Sequence, residues 1–588
     1  AYTPGPYLSV PSLVGQLKAA GINAEGRDLN LDFLTYALTQ DYIKKTISLI
    51  ETWENNLKDK YTNITSNSKE FLDLPIEDKI NVLKKEKVET YLEKNKFKVF
   101  NIYKYIEKSI NIMRDKELFY NPNLFYKAFK IINDAINFIF VPFAPSYIHN
   151  FRYLNPLFTY NYEDIKFQTE DKNTNIFIEF YEKIIGEGYF DEFDIIGISI
   201  PTLSQTVAAF TLARMLKAKG KKVCLGGNII TRVKHALDTN TELFDLFCDY
   251  ISIGDGEHSL VSLIKHIQGE CSISDVTGVI YKDKNQVKIN EPDIVKAQDV
   301  KPIDFTGYDL KKYFIPEIVL SIQISKGCYW GKCAFCDFFY GKPYYSCLTP
   351  KKAADVIEDL IKRYNITCFQ FEDEALSPTF LKGFATEILN RNLKITYASY
   401  LRMENEFTEE LLSLMHKSGY VRAFWGFEFG SERIMKLVNK GVSLDRRADI
   451  LKASHNAGIW NHISLMYGFP TETKEEAEIT LNFCKENAEI IQQCEVANFT
   501  LTKYARALSM IKELKLKDIK DNENFAPDLE YKSPGMTEEE KTEIHNGYKS
   551  FYDVLSRNKI SGQLYIPMYL TLYLKKHGKK YVTEAEIK

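Results

Sequence analysis

Between about Ile315 and Tyr504, short apolar runs alternate with amphipathic ones, and this alternation restricts the fold more than any other feature of the chain. The apolar runs are "EIVLSIQIS", "ITCFQFEDE", "KITYASYLR", "YVRAFWGFEFG", "NHISLMYGFP" and "CEVANFTLTKY". Stretches of helical periodicity separate them, among them "PKKAADVIEDLIKRY", "TEELLSLMHKSG" and "KEEAEITLNFCKENA". Such repetition predicts a parallel sheet with helices on its outer face, because each parallel strand needs a crossover to return. Six units make most of a parallel barrel and fall short of eight, and functional side chains are expected at the strands' carboxyl ends.

A smaller alternating series precedes it. "FDIIGISI" (Phe193 to Ile200), the helix "TVAAFTLARMLKAKG", the strand and glycine turn "KVCLGGN", "YISIGDGEHSLVSLIKHI" and the hairpin "GVIYKDKNQVKIN" predict a second sheet that is parallel in its first strands. "NEPDIVKAQDVKPIDFTGYD" (Asn290 to Asp309) reads as a linker. Nearer the beginning, "PSLVGQLKAAGINAEGRDLNLDF" reads as a helix, a stop at Gly21 and a short strand. Because the sequence opens on Ala1, an opening strand is expected to be missing from it. From Thr35 to Phe190 the texture is Lys/Glu/Asn/Ile-rich and helical, an insertion with "YTNITSNSKE" as a loop, and its lysines read as a solvated helix face. The stretch from Ile511 is mixed and polar. It ends on "GQLYIPMYLTLYLKKHG", where the spacing of Tyr565, Tyr569 and Tyr573 reads as a packed helix stripe.

Composition removes several classes of function. The chain's 588 residues imply several domains. A net charge of -3 without a basic block argues against nucleic-acid binding. No apolar run approaches the roughly 20 residues of a membrane span, and "AYTPGPYLSV" lacks the regions of a signal peptide. Ten cysteines in so long a chain are no disulfide scaffold, so a reducing cytoplasm is expected. None of the nine histidines is paired at metal-binding spacing; His258, His266, His455 and His462 read as core or surface residues. Asp255 and Glu257 in "GDGEHSL" are expected to fix a helix start.

After the first barrel strand comes "SKGCYWGKCAFCDF", with Cys328, Cys333 and Cys336 on one loop. Three convergent thiolates suit an iron–sulfur cluster or zinc. Structural zinc usually takes four ligands, and no fourth Cys or His follows at finger-like spacing; Cys347 lies beyond a proline turn. A cubane cluster on three thiolates leaves one iron open to a small molecule, which points to catalysis.

This segment resembles the radical S-adenosylmethionine (radical SAM) enzymes. The Cys-Ala-Phe-Cys half matches that family, including Phe335 before the third cysteine, while Tyr-Trp-Gly-Lys gives four residues where the family usually has three. Gly331 is expected to absorb the extra residue, and Trp330 to pack in the core. The resemblance implies that Cys328, Cys333 and Cys336 hold a 4Fe-4S cluster. It places Phe335, Asp373, Glu374, Arg402, Glu428, Ser431, Gly468 and Pro470 around SAM: Asp373 and Glu374 toward the methionine amino group, Glu428 and Ser431 toward the ribose or carboxylate, and Gly468 and Pro470 against adenine. The family's chemistry is reductive cleavage of SAM to methionine and a 5'-deoxyadenosyl radical, driven by a reducing electron donor such as flavodoxin or ferredoxin under anaerobic conditions.

The earlier sheet resembles the cobalamin-binding domain that precedes the barrel in one large group of these enzymes, without its usual opening strand. That likeness implies a cobalamin site at Ser199, Thr202, Ser204, Gly226, Gly227, Gly254 and Gly256. A dinucleotide fingerprint would need a third glycine that "GDGEHS" lacks, and "GCYWGK" has the wrong spacing for a P-loop. No Asp-x-His-x-x-Gly motif is present to supply a lower axial histidine.

The expected architecture is α/β: a Rossmann-like cobalamin-binding domain (1–34 and 191–289) with a helical insertion (35–190), a linker (290–314), a partial (β/α)6 radical SAM barrel (315–510) and a small C-terminal region (511–588). The expected activity is methyl transfer to an unactivated carbon of a peptide or natural product. A radical cyclisation, rearrangement or crosslink, and an electron-transfer scaffold with a buried cluster, stand as alternatives.

Overall fold

The computed structural model describes residues 4–57, 61, 64–150, 152–337, 344–556 and 559–587. Two sheets carry the architecture. The first contains β1 (Ile195–Ser199), β2 (Lys222–Gly226), β3 (Tyr250–Ser252), β4 (Val279–Asp283) and β5 (Gln286–Asn290) in that spatial order. β1, β2 and β3 are parallel, and the predicted hairpin β4–β5 adds antiparallel to β3. The expected short strand around residues 22–28 does not form; Gly26 N–H instead donates to Thr306 O of the linker at 2.9 Å.

The second sheet is the partial barrel. β6 (Val319–Ile322), β7 (Cys368–Phe371), β8 (Thr396–Arg402), β9 (Tyr420–Glu428), β10 (Trp460–Tyr467) and β11 (Gln493–Asn498) pair in sequence order, and every pairing is parallel. Local chemistry sets the crossovers. The helix Pro350–Tyr364 starts on Thr349, whose hydroxyl accepts from Lys352 N–H, has Pro350 in its first turn, and stops at left-handed Asn365. The helix Lys474–Glu486 starts on a capping box of Thr473 and Glu476.

The strands' outward side chains, including Leu320, Phe369, Tyr397, Trp425, Ile463 and Leu465, form one apolar core with the crossover helices. Their concave face is different. Tyr400, Phe424, Gly426, Ser464 and Met466 are partly exposed between buried neighbours, and Glu495 and Ala497 on the edge strand are exposed. That period-2 alternation marks a solvent-accessible chamber inside the barrel.

The insertion is built of helices Gln40–Leu57, Ile76–Arg114, Pro122–Ile139, Tyr162–Gln168 and Phe177–Gly186 with a short hairpin, Tyr147–His149 and Arg152–Leu154. Its core is continuous with that of the first sheet and with the last helix, Pro567–Glu584. This last helix lies across the amino ends of the barrel strands. Lys575 Nζ donates to Glu317 and Thr367, and Lys579 Nζ to Ile459 O at 2.7 Å, each acceptor just ahead of a strand. Tyr569 and Tyr573 are fully buried, as their spacing predicts, and their hydroxyls donate to Phe314 O (2.9 Å) and Phe119 O (2.7 Å), whereas Tyr565 lies ahead of the helix and is exposed, outside the expected stripe.

Candidate active site

The cysteine loop leaves β6 through Ser325–Gly327 and is fixed by the end of β7. Asp373, fully buried, accepts from Ile324 N–H at 3.1 Å, Ser325 N–H at 2.6 Å and the Ser325 hydroxyl. Burial pushes its carboxyl up to about 7 despite these donors. Asp373 therefore positions the loop, and its acceptor capacity is largely spent there. Gly331 sits at φ +59, a conformation that accommodates the extra residue. None of the three cysteines is in a disulfide, and all are partly buried. Burial raises the Cys333 thiol, and nearby Lys440 and Arg402 oppose that rise. Three cysteines on one loop with two cations alongside are chemically suited to a thiolate-held cluster. The described residues contain no compact group of three or more His, Cys, Asp or Glu side chains of the kind that holds a single ion.

Glu374 is the least satisfied acid at this end of the sheet. It has no hydrogen bond or ion pair among the described residues, and burial together with Asp373, Asp337 and Glu372 pushes its carboxyl up to about 8. A cationic ligand would relieve that repulsion.

Arg402 ends β8 buried; its guanidinium donates to Lys440 O at 2.8 Å and to Glu404, and lies 4.6 Å from the centre of the Trp330 ring. Trp330 is only partly buried and outside the apolar cores, so the core packing expected of it does not hold. Its indole donates to Asn439 O at 2.7 Å and rests on Gly441, where a Cβ would come within 2.0 Å of the ring. Glu428 ends β9 at φ +62, beyond a register shift in the β9–β10 pairing, and accepts from Lys440 Nζ at 2.8 Å. A left-handed glutamate at a bulge is a strained way to aim a carboxylate.

Ser431 is already engaged: it accepts from Ile434 N–H as a helix cap and donates to Glu476 at 2.9 Å. Phe335 lies partly buried, 5.6 Å from Lys440 Nζ. After β10, Gly468 (φ +77) and buried Pro470 form a turn closed by Glu472, which accepts from Gly468 N–H at 2.6 Å and Phe469 N–H at 3.2 Å. The carboxyl ends of β6 to β10 thus carry the eight proposed SAM residues.

Sequence reasoning missed Lys440 and Glu472. They stand in the stretches "NKG" and "GFPTET", which follow β9 and β10, where a lone Lys and a lone Glu carry no spacing signal. It also missed the chamber floor. Arg422, buried, donates to Gln370 at 2.6 Å, and His462 lies 4.1 Å from Phe424 with neither ring nitrogen bonded. Burial and Arg422 hold this imidazole neutral, well below its usual pKa.

The first sheet turns its carboxyl ends toward the cysteine loop. Asp255 and Glu257 do not cap their helix; both accept from Lys326 Nζ, at 3.2 and 2.8 Å, and Arg232 pairs with Asp337. Ser199 ends β1, and Thr202 and Ser204 follow it. Ser199 Oγ lies 3.1 Å from Ser9 Oγ, Thr202 closes a capping box with Gln205, and Ser199 and Ser204 border a cavity of about 290 Å³ with Leu34, Phe177 and Leu212 on its wall. At Gly226 a Cβ would only touch Ser252. At Gly227 (φ +106) it would fall 2.6 Å from Ile200 N, at Gly254 (φ +77) 2.8 Å from Pro292, and at Gly256 3.0 Å from Leu13, so protein contacts account for the last three.

Residues 322–484 match the radical SAM superfamily. This segment is a radical SAM domain. Over 303 residues, half of the chain, the sequence is 26% identical to an uncharacterised methyltransferase of Pyrococcus horikoshii, spanning 64% of that protein. Over 251 residues it is 25% identical to an anaerobic magnesium-protoporphyrin IX monomethyl ester cyclase of Rubrivivax gelatinosus, spanning 45% of it. The chain thus spans less than two thirds of the length of these relatives. Among solved structures, it shares the fold of the cobalamin-dependent radical SAM enzyme OxsB, solved with aqua-cobalamin and SAM bound, at a TM-score of 0.52, 16% identity and coverage of 68% of this chain and 69% of that one. The shared fold extends beyond the radical SAM domain into the remainder of the chain.

Proposed function

We propose that the chain is a cobalamin-dependent radical SAM methyltransferase acting on an unactivated carbon of a peptide or natural-product substrate. The observation that carries this reading is the facing of the two sheets. Lys326, at the root of the cysteine loop, is held by Asp255 and Glu257 at the carboxyl end of the first sheet, and this link supports a reading in which the two halves serve one reaction. Two similar proteins support the class: the Pyrococcus horikoshii relative is named a methyltransferase, and OxsB is a cobalamin-dependent radical enzyme.

In this reading Cys328, Cys333 and Cys336 hold a 4Fe-4S cluster, which supplies the electron for SAM cleavage. Glu374 takes the SAM ammonium group, Glu428 and Lys440 stand ready for ribose or carboxylate, and the Gly468–Glu472 turn offers backbone to adenine. Ser431, engaged with Glu476, contributes by fixing the start of its helix. Ser199, Thr202 and Ser204 meet cobalamin, the methyl carrier, and the cavity beside β1 suits the apolar base of its tail. Tyr400, Phe424, Met466 and Glu495 wall the chamber that receives substrate.

The experiment is anaerobic reconstitution with iron, sulfide and hydroxocobalamin, followed by desalting, a visible spectrum and product analysis on candidate substrates. Retained corrin, with both 5'-deoxyadenosine and S-adenosylhomocysteine formed in turnover, is the expected result. Cluster absorption without corrin, and product unchanged in mass or depleted in hydrogen, would move the assignment to non-methylating radical chemistry. Removing the Glu374 charge with Glu374→Gln is expected to weaken SAM binding about tenfold in equilibrium dialysis, the scale of one charge-assisted hydrogen bond.

A further inference from the structure

A second hollow, of about 500 Å³, lies against the cysteine loop and is lined by none of the chamber residues. Lys332, Arg433, Lys436 and Arg506 line it, with Glu513 as the one acid among its lining residues. Its floor is the cysteine loop itself. Ala334, between Cys333 and Cys336, donates from its N–H to Val438 O and accepts at its carbonyl from Ala507 N–H, both at 2.8 Å. The loop backbone is thereby stitched into the hollow's two walls.

These cations are only partly spent within the chain. Arg433 is committed to Glu476, and Lys436 approaches exposed Glu432 at 3.8 Å. Lys332 lies 4.9 Å from the centre of the Trp330 ring, and neither it nor Arg506 has an ion pair among the described residues. This hollow, with three under-compensated cations and one peptide unit from a cluster cysteine, shares no lining residue with the chamber or with the residues placed around SAM.

Resting on the radical SAM reading, we infer that this hollow docks an acidic one-electron carrier protein. The electron balance requires an external donor: the donor loses one electron, the thiolate-held acceptor gains it, and the C–S bond of SAM then breaks. Charge complementarity favours a carrier whose cofactor is rimmed by carboxylates, and it steers encounter over about one Debye length, roughly 10 Å at 0.1 M salt.

The test uses the reconstituted holoenzyme and a bacterial flavodoxin as the probe. Binding of oxidised flavodoxin is measured by flavin fluorescence, at low and high salt, for the wild type, Lys436→Glu/Arg506→Glu and the charge-keeping Lys436→Arg/Arg506→Lys. SAM cleavage is followed with reduced flavodoxin and, separately, with titanium(III) citrate. The charge reversal is expected to weaken binding about tenfold or more and to slow flavodoxin-driven cleavage in step. Titanium-driven cleavage stays unchanged, and the charge-keeping variant behaves as wild type. Flavodoxin affinity that is indifferent to reversal and salt, alongside intact titanium-driven cleavage, overturns the docking site alone. Wild-type protein that cleaves SAM with neither reductant overturns the radical reading, and this inference with it.

Discussion

Buried carboxylates set the chemistry at the scale of single residues. Asp373, Glu374 and Glu472 all have carboxyl groups raised by burial, to about 7, 8 and 8. A folded-state pKa raised above the unfolded value means that the native state holds protons the unfolded chain has lost. The associated stability is present below the ordinary carboxylate pKa and disappears as pH rises through the folded value. These three groups by themselves therefore contribute a loss of stability between about pH 4 and about pH 8. Glu472→Gln isolates one contribution, because the amide oxygen can still accept from Gly468 and Phe469 N–H while the ionisation is gone. The variant's melting temperature should decline less steeply over that range in differential scanning fluorimetry. An unaltered slope would show that Glu472 is protonated alike in both states.

Among the elements, the last helix has the widest reach. It crosses the amino ends of the barrel strands on Lys575 and Lys579 and joins them to the insertion through Tyr569 and Tyr573. Tyr569→Phe removes one buried hydrogen bond and is expected to cost about 1 kcal/mol. Tyr573→Ala also empties a ring's volume from the core and should cost about 3–5 kcal/mol. Urea unfolding followed by circular dichroism distinguishes the two. Equal and negligible effects would mean that the helix is not a structural member of the barrel floor.

Across the whole molecule, the relation of the two sheets rests on a few charges. Lys326 is nearly buried and holds both Asp255 and Glu257, the latter 6% exposed. Removing one partner of such a cluster leaves an uncompensated charge, so Lys326→Met is expected to destabilise by about 3 kcal/mol and to speed proteolysis in the 290–314 linker. Glu257→Gln in the same protein should recover part of the loss, because it withdraws the orphaned charge. Independent, additive losses would show that the pair does not couple the sheets.

Much of this protein was determined by its sequence alone, wherever function and fold are written in short-range pattern. The alternation after Ile315 specifies six parallel strands because strand and helix each impose their own periodicity on a dozen residues. The cysteine loop, the strand-end acids and, of the tyrosine stripe, Tyr569 and Tyr573 were legible for the same reason. Tertiary structure decided the rest. Glu428 reaches its position through a bulge that no residue pattern announces, and its partner Lys440 is fixed by a turn. Asp255 and Glu257 read locally as a helix start, yet they serve Lys326 some seventy positions along. The barrel floor joins Tyr573 to Phe119 across 454 positions. Contacts of that range depend on which faces remain to be buried once the local elements exist, and local periodicity holds no record of that choice.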